Sequence, residues 1–506
     1  MSLQTINHDV IAVILFYLEP KQALPLITAC RSLHMPATQR LISEYNVTFS
    51  DSGDDCTSRL LKFCDYMLAY PQHRPPWLKA LHIVTWTLAP PSLALTRLAD
   101  LMSRATTLHK FTLHDHGGMF LEMNPSMMNA IANVDSLKCL TLEAVVSLAP
   151  VTLLSQMKSR PPIVTCLANF GDLCFSRAPP DPIARQFLHN ITDCLKQVTL
   201  AGVLPIIADM GMRVVCPHVE ALTLNDSAIT AEQWEPIVRT FPNVRIFRTA
   251  AEVTPDFNAS VPPCAEWSGL DMVRILSPLP LHHCHVRRVE LGRPRGPIIH
   301  HRPWPKTLDM LRRISPIALT SCVEDKLLEC VGKDLHCLKI LRLVTGADGK
   351  HVLPNSAIGL VDHTVVGFLP SCTAHFQSDV WALFKHRIIS TLTSSHLRAL
   401  IIDLCGVPYD GDTAVLFHPH AEAIASAIRS VHLVGMRLDT GRNVKTQPYN
   451  VPWDHDHLSW NASRYQWYHV ASRDSDGAPQ LRVVAGEDVT RVVLKLLHAF
   501  QFPLQI

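Results

Sequence analysis

Residues 137–142 read Leu137-Lys138-Cys139-Leu140-Thr141-Leu142. Aliphatic residues at the first, fourth and sixth positions of this hexamer predict a short strand with one buried face. The same pattern, with Val, Ile or Phe at some positions, returns at 78–83, 108–113, 195–200, 219–224, 244–248, 286–291, 338–343, 397–402 and 428–433, and more weakly at 481–484. The chain is therefore predicted to consist largely of repeated units.

The spacing of these hexamers is that of a strand and a helix. The copies starting at 78, 108, 137, 195, 219 and 244 are separated by 30, 29, 58, 24 and 25 residues, and the gap of 58 fits two units with a degenerate strand near 163–170. Helical patterns lie between copies, for example at 93–102 and 231–240. In pattern and period the units resemble leucine-rich repeats, whose strands form a parallel sheet on the concave face of a solenoid. The intervening Lys, Arg, Thr and His are expected on that face. The alternative is a doubly wound α/β domain, whose strands would be more continuously apolar.

The period loosens after residue 252. The gaps between the later copies grow to 42, 52 and 59 residues, which predicts lost or expanded units. Proline-rich insertions are predicted within 255–305, and an aromatic-rich segment at 440–477 is predicted to be a covering loop or part of a partner site. Residues 352–369 are predicted to be a loop and 378–393 a helix, and an amphipathic helix at 488–500 is expected to close the solenoid.

The N-terminal stretch 6–34 predicts two short amphipathic helices joined by a proline turn. Asn7 or Asp9 can cap the first helix, and Glu19-Pro20 is expected to end it. A second apolar pattern starts at Ala23. About thirty residues cannot bury a core of their own, so these helices need a partner surface.

This stretch resembles an F-box, the module that docks a substrate receptor onto the Skp adaptor of a cullin-type ubiquitin ligase. The resemblance covers about the first 45 residues and is closest to fungal F-box proteins. The positions that carry it, and that it implies would bind the adaptor, are Ile6, Val10, Ile11, Ile14, Leu15, Leu18, Pro20, Leu24, Cys30 and Arg31. Asn7, Gln22 and Leu33 stand where the family usually has proline, an acid and tryptophan.

The family resemblance implies a fold, a function and partners. The expected fold is α/β, with an F-box-like helical module at 1–50, a helical linker or N-terminal cap at 51–76, and an irregular leucine-rich-repeat solenoid at 77–500. The expected partners are the Skp-type adaptor, through it a cullin, and an unidentified target held by the repeats; the chain itself would not be an enzyme. The alternatives are an ordinary helical hairpin at 6–34 and a repeat scaffold that never enters a ligase.

Composition limits the other classes. The chain has 506 residues, 47% hydrophobic and 18% charged, with a formal net charge of +2. This balance does not suggest a nucleic-acid partner or an acidic membrane surface. The sequence has 15 cysteines but no C-x-x-C pair, leader or membrane span, so a cytoplasmic or nuclear protein with reduced cysteines is expected.

Candidate sites for metals and catalysis are weak. His282-His283-Cys284-His285 with His300-His301, and Asp454-His455-Asp456-His457, offer donors but lack the paired spacing of a structural zinc site. Residues 346–350 resemble part of a phosphate loop but lack its glycine spacing, so a turn is predicted. No local signature supports a cysteine nucleophile. We therefore expect no metal, no cofactor and no catalytic residue.

Overall fold

The structure is a computed structural model with an α/β architecture. It describes residues 7–49, 54–86, 92–116, 120–145, 149–168, 188–202, 207, 214–225, 228–249, 252–253, 267–281, 284–291, 304–322, 324–344, 386, 388–405, 413–439, 465–485 and 488–489. The chain forms two compact units, Met1–Trp267 and Ser268–Ile506, which are described separately.

The first unit begins with three helices: α1 (His8–Tyr17), α2 (Leu24–Ala29) and α3 (Arg31–Ile42). Asn7 caps α1, since its Oδ1 accepts a hydrogen bond from the Asp9 amide, and α1 ends before Glu19-Pro20, as predicted. A 3₁₀ turn (Pro20–Ala23) follows, and extended backbone at Cys30 separates α2 from α3. The second predicted helix is therefore two helices.

The strands of the first unit form a parallel sheet in the order β1-β2-β3-β4-β5-β6-β7-β9, beside a small parallel pair, β8 and β10. Their bounds are β1 (Glu44–Phe49), β2 (Ala80–Thr85), β3 (Lys110–Asp115), β4 (Cys139–Val145), β5 (Ile163–Ala168), β6 (Gln197–Ala201), β7 (Ala221–Leu224), β8 (Ala228–Ile229), β9 (Ile246–Thr249) and β10 (Glu252–Val253). The helices are α4 (Asp54–Leu68), α5 (Ser92–Arg104), α6 (Phe120–Met123), α7 (Pro125–Ala132), α8 (Ala149–Gln156) and α9 (Ala231–Thr240), with 3₁₀ turns at Pro75–Trp77 and His189–Ile191.

The second unit has parallel strands in the order β11-β12-β13-β14-β15-β16, followed by two antiparallel strands, β17 and β18. The strands are β11 (Gly269–Ile275), β12 (His285–Leu291), β13 (Ala318–Cys322), β14 (Ile340–Val344), β15 (Ala399–Cys405), β16 (Leu433–Asp439), β17 (Gln466–Arg473) and β18 (Pro479–Val484). The helices are α10 (Trp304–Ile314), α11 (Asp325–Lys333) and α12 (Thr413–Ala427). In the described part, neither run of strands closes on itself.

Each sheet has an apolar face and a polar face, because successive side chains of a strand point to opposite sides. In β2, Leu81 and Ile83 are fully buried while His82 between them is half-buried, and the same alternation recurs in β3 and β4. Helical residues such as Leu98 and Leu101 of α5 are also fully buried, as expected where helices cover one face of a sheet. The polar residues between the aliphatic ones therefore lie on the other face, which we call the polar face.

Neighbouring units are joined by a repeated main-chain arrangement. The amides of Lys138 and Cys139 both donate to the carbonyl of His109, and the amides of His109 and Lys110 both donate to the carbonyl of Lys79. The same arrangement links Lys339 to the amides of Arg398 and Ala399 in the second unit. The position after the first aliphatic residue of the hexamer is therefore where consecutive units connect, and its side chain, as at Lys138, is exposed.

Most predicted strands and helices are confirmed, including the degenerate strand β5, but several were missed. The sequence did not indicate β1, β8, β10, β11, β13 or β17. The long gaps after 244 and after 286 each contain a strand, β11 and β13, so those units are neither lost nor expanded. The predicted proline-rich insertion at 255–305 was partly wrong because β11 and β12 lie within it. β17 likewise replaces part of the covering loop predicted at 440–477, and the hexamer at 428–433 ends where β16 begins.

Other predictions lie outside the described residues. These are the loop at 352–369, the turn at 346–350, most of the helix at 378–393 and all but residues 488–489 of the closing helix. β1 falls within the predicted module 1–50 and pairs with β2 in register from Glu44–Ala80 to Phe49–Thr85. The helical module is thus continuous with the sheet of the first unit.

Candidate docking surface and polar faces

Helix α1 is apolar on all sides, although only one side is buried. Ile11 and Leu15 pack with Ala23, Leu33 and Ala37 in a small core shared by the first three helices. The rest of α1 carries exposed apolar side chains: Val10 (48% exposed), Val13 (56%), Ile14 (46%), Phe16 (75%) and Tyr17 (80%). Leu24 of α2 and Met35 of α3 are also exposed. Together these residues form what we call the α1 patch; exposed apolar patches of this kind mark interaction sites.

The predicted adaptor-binding residues divide into three groups. Val10, Ile14, Leu24 and Arg31 are exposed, whereas Ile11 and Leu15 lie in the core of the module. Leu18, Pro20 and Cys30 are half-buried, and Ile6 lies outside the described residues.

Sequence reasoning missed Val13, Phe16 and Tyr17. The available signal was the unbroken apolar run from Val10 to Tyr17, which leaves the helix without a polar face.

Arg40 of α3 holds α1 in place. Its Nε donates to the carbonyls of Leu15 at 3.0 Å and Leu18 at 2.9 Å, and its Nη2 donates to Leu18 at 2.7 Å. Its Nη1 contacts Glu44 Oε1 at the start of β1 at 2.7 Å. A cation at the last carbonyls of a helix stabilises that end. Arg40 therefore orients the α1 patch relative to the sheet.

The three departures from the F-box pattern have structural roles. Asn7 caps α1, Gln22 Oε1 accepts a hydrogen bond from the Glu19 amide at 2.8 Å, and Leu33 is buried in the module core. None of the three belongs to the α1 patch.

The polar face of the first unit carries a row of threonines. Thr112, Thr141, Thr165, Thr199 and Thr223 are register partners on the five adjacent strands β3 to β7. The row provides hydroxyl and methyl groups at the regular spacing of the strands, as expected of a face that contacts a ligand or another chain through hydrogen bonds.

A histidine–glutamate cluster adjoins this threonine row. His114 Nδ1 lies 2.5 Å from Oε2 of the buried Glu143, and the ring centroids of His82 and His114 are 4.8 Å apart. Burial lowers the pKa of His82 to about 4, and the neighbouring His114 and Lys110 contribute to this shift. His82 is therefore neutral at physiological pH.

The thiols provide little for covalent chemistry. Each of the ten cysteines whose side chains the structure describes is a free thiol. Burial raises the pKa of Cys64, Cys166 and Cys216 to about 12, so these remain thiols rather than reactive thiolates at neutral pH. The exposed Cys30 has a lowered pKa through a hydrogen bond with Ser32.

Metal ligation and membrane insertion find no support in the described residues. There, no three His, Cys, Asp or Glu side chains converge as metal ligands. Most residues of the two donor clusters noted in the sequence lie outside the described part. None of the helices described is both long enough and apolar enough to span a bilayer.

Comparison with known proteins adds no relative from which a role could be carried over. Neither the scan against protein-family models nor the search of curated proteins finds a match to this chain.

Proposed function

We propose that this chain is the substrate-recognition subunit of a ubiquitin ligase of the Skp–cullin–F-box type. In this proposal the helices at 7–42 are an F-box that binds the Skp-type adaptor, and the strand–helix units form a leucine-rich-repeat solenoid that binds a target protein. The receptor contributes no catalytic group. By holding the target beside the loaded transferring enzyme, it raises the effective concentration of the reacting groups.

The observation that carries the proposal is the α1 patch. Phe16 and Tyr17 are large aromatic side chains left mostly in water, beside the exposed Val10 and Ile14. Aromatic and aliphatic anchors of this kind dominate the energetics of protein interfaces. Their position on the segment that resembles an F-box favours the adaptor as the partner.

The test is binding of the full chain to purified Skp adaptor, comparing Ile14→Asp with Leu93→Asp. Both leucine-sized side chains are exposed, Ile14 in the α1 patch and Leu93 on α5 of the repeats. Burying an aliphatic side chain is worth about 1.5–3 kcal/mol, and burying an unpaired carboxylate adds a further cost. We therefore expect Ile14→Asp to weaken adaptor binding at least tenfold and Leu93→Asp to leave it unchanged.

The alternative function is a repeat scaffold that operates outside any ligase, and Asn7, Gln22 and Leu33 are the features that favoured it. Because these residues have structural roles away from the α1 patch, they do not argue against adaptor binding. Absence of saturable binding at micromolar adaptor, with the wild-type chain folded, would leave the scaffold as the function.

A further inference from the structure

The polar face of the second unit contains a compact group of charged side chains from five strands. We call it the arginine–carboxylate cluster; its members are Arg274, Arg288, Glu290, Arg342, Asp403 and Arg437. Register brings them together, since Arg274 is the partner of Glu290 and Asp403 is the partner of Arg437 in neighbouring strands.

Each carboxylate of the cluster lies between two guanidinium groups. Asp403 is fully buried, with Arg342 Nη2 2.5 Å from Oδ2 and Arg437 Nε 3.4 Å from Oδ1. Glu290 contacts Arg288 Nη2 through Oε1, while Arg274 Nε lies 3.9 Å from Oε2. With four arginines and two acids, the cluster has a formal charge of +2.

The surroundings strengthen the electrostatic field of this charge. The side chains of Arg288 and Arg342 are each only 15% exposed. Ile340, Ile401 and Trp467 belong to an apolar core on the same face, and Tyr465 packs against that core. The Tyr465 ring centroid lies 5.4 Å from Arg437 Cζ. Low-dielectric walls around excess charge of one sign favour a counter-ion of the opposite sign.

We propose that the arginine–carboxylate cluster binds the phosphate group of a phosphorylated residue in a partner protein. A phosphorylated side chain carries about −1.5 to −2 charges at neutral pH, which matches the +2 of the cluster, whereas a single carboxylate would neutralise only half of it. Guanidinium groups also match phosphate oxygens in bidentate geometry. Identifying the partner as the ligase target rests on the proposed function; phosphate binding does not.

The first experiment measures binding of the full chain to two immobilised degenerate peptide libraries, one fixed at phosphothreonine and the other at threonine. We expect at least a tenfold preference for the phosphothreonine library at pH 7.5. The preference should shrink at pH 5.5, because the phosphate takes up its second proton with a pKa of about 6. Equal binding of the two libraries would overturn the proposal.

The second experiment removes the two excess charges and keeps both central pairs. The double variant Arg274→Gln/Arg437→Gln leaves Arg288 with Glu290 and Arg342 with Asp403, so each carboxylate keeps its closest arginine. Arg287→Gln/Arg429→Gln removes the same charge from exposed positions outside the cluster and is the control. We expect at least a tenfold loss of phosphopeptide binding for the first pair and none for the control.

Folding and adaptor binding are measured on the same variants. If the double variant is unfolded by circular dichroism, Arg274→Gln alone replaces it, since Arg274 makes the longest ion pair of the cluster. Wild-type phosphopeptide binding by a folded cluster variant would refute this site. Phosphopeptide binding without adaptor binding would refute the proposed ligase function alone, and adaptor binding without phosphate preference would refute the present proposal alone.

Discussion

Replacing Gly435 with alanine tests how the antiparallel end of the second unit is packed. Gly435 of β16 is the register partner of Trp467 of β17, and the indole ring lies flat against the glycine. A Cβ at position 435 would lie 2.7 Å from Cε3 and Cη2 of Trp467 and closer still to Cζ3. Trp467 is buried, so its ring can yield only by displacing Tyr465 or the apolar core beneath it.

The expected cost can be worked out from two opposing effects. Overpacking a core by one methyl group costs about 1–3 kcal/mol. Alanine also restricts the unfolded chain more than glycine does, which returns about 0.4–1 kcal/mol. We therefore expect Gly435→Ala to destabilise the second unit by about 1–2 kcal/mol, or to lower its melting temperature by roughly 3–6 °C.

Gly269→Ala provides the matched control. Gly269 is also a strand glycine of the second unit, but a Cβ there would lie 3.7 Å from the carbonyl oxygen of His285, an ordinary contact. Differential scanning calorimetry of the three proteins measures the melting temperatures. Hydrogen exchange at β16 and β17 then locates the change. Equal melting temperatures for the two variants would refute the packing argument.

Two further predictions concern the first unit. Leu15→Ala should destabilise the helical module by about 2–5 kcal/mol because Leu15 is buried, whereas Ile14→Ala should change its stability by less than about 0.5 kcal/mol; proteolytic cleavage within residues 7–42 distinguishes them. His82 has a pKa of about 4 when folded, below its ordinary value, so the unfolded chain binds more protons between pH 4 and 6.5. Stability should therefore fall as pH falls through that window, and His82→Gln should flatten this slope in urea-unfolding midpoints; an unchanged slope would contradict the assignment.

Local patterns predicted the repeated units well because each strand and helix needs its own apolar periodicity. The helix Ala231–Thr240 and the strand at 163–168 were predicted from such patterns. β11 and β13 were missed because Gly269–Ile275 and Ala318–Cys322 are buried strands without the leucine spacing of the hexamer.

The candidate sites depend on relations that a local pattern does not contain. Which side of α1 is buried depends on contacts with Leu33 and Ala37 of α3, so the sequence indicated an apolar helix but not that Phe16 and Tyr17 face water. The arginine–carboxylate cluster joins residues from Arg274 to Arg437, and only the register of five strands brings them together.

The main-chain connection between units has a consequence for how this molecule can change in length. The carbonyl of residues such as His109 accepts two amides of the following unit, and neither donor nor acceptor belongs to a side chain. The joint is therefore indifferent to the amino acids on either side of it. Duplication or excision of a whole period would re-create the same joint, so the number of units, and with it the extent of the polar face, can vary by recombination without a new fold having to be found.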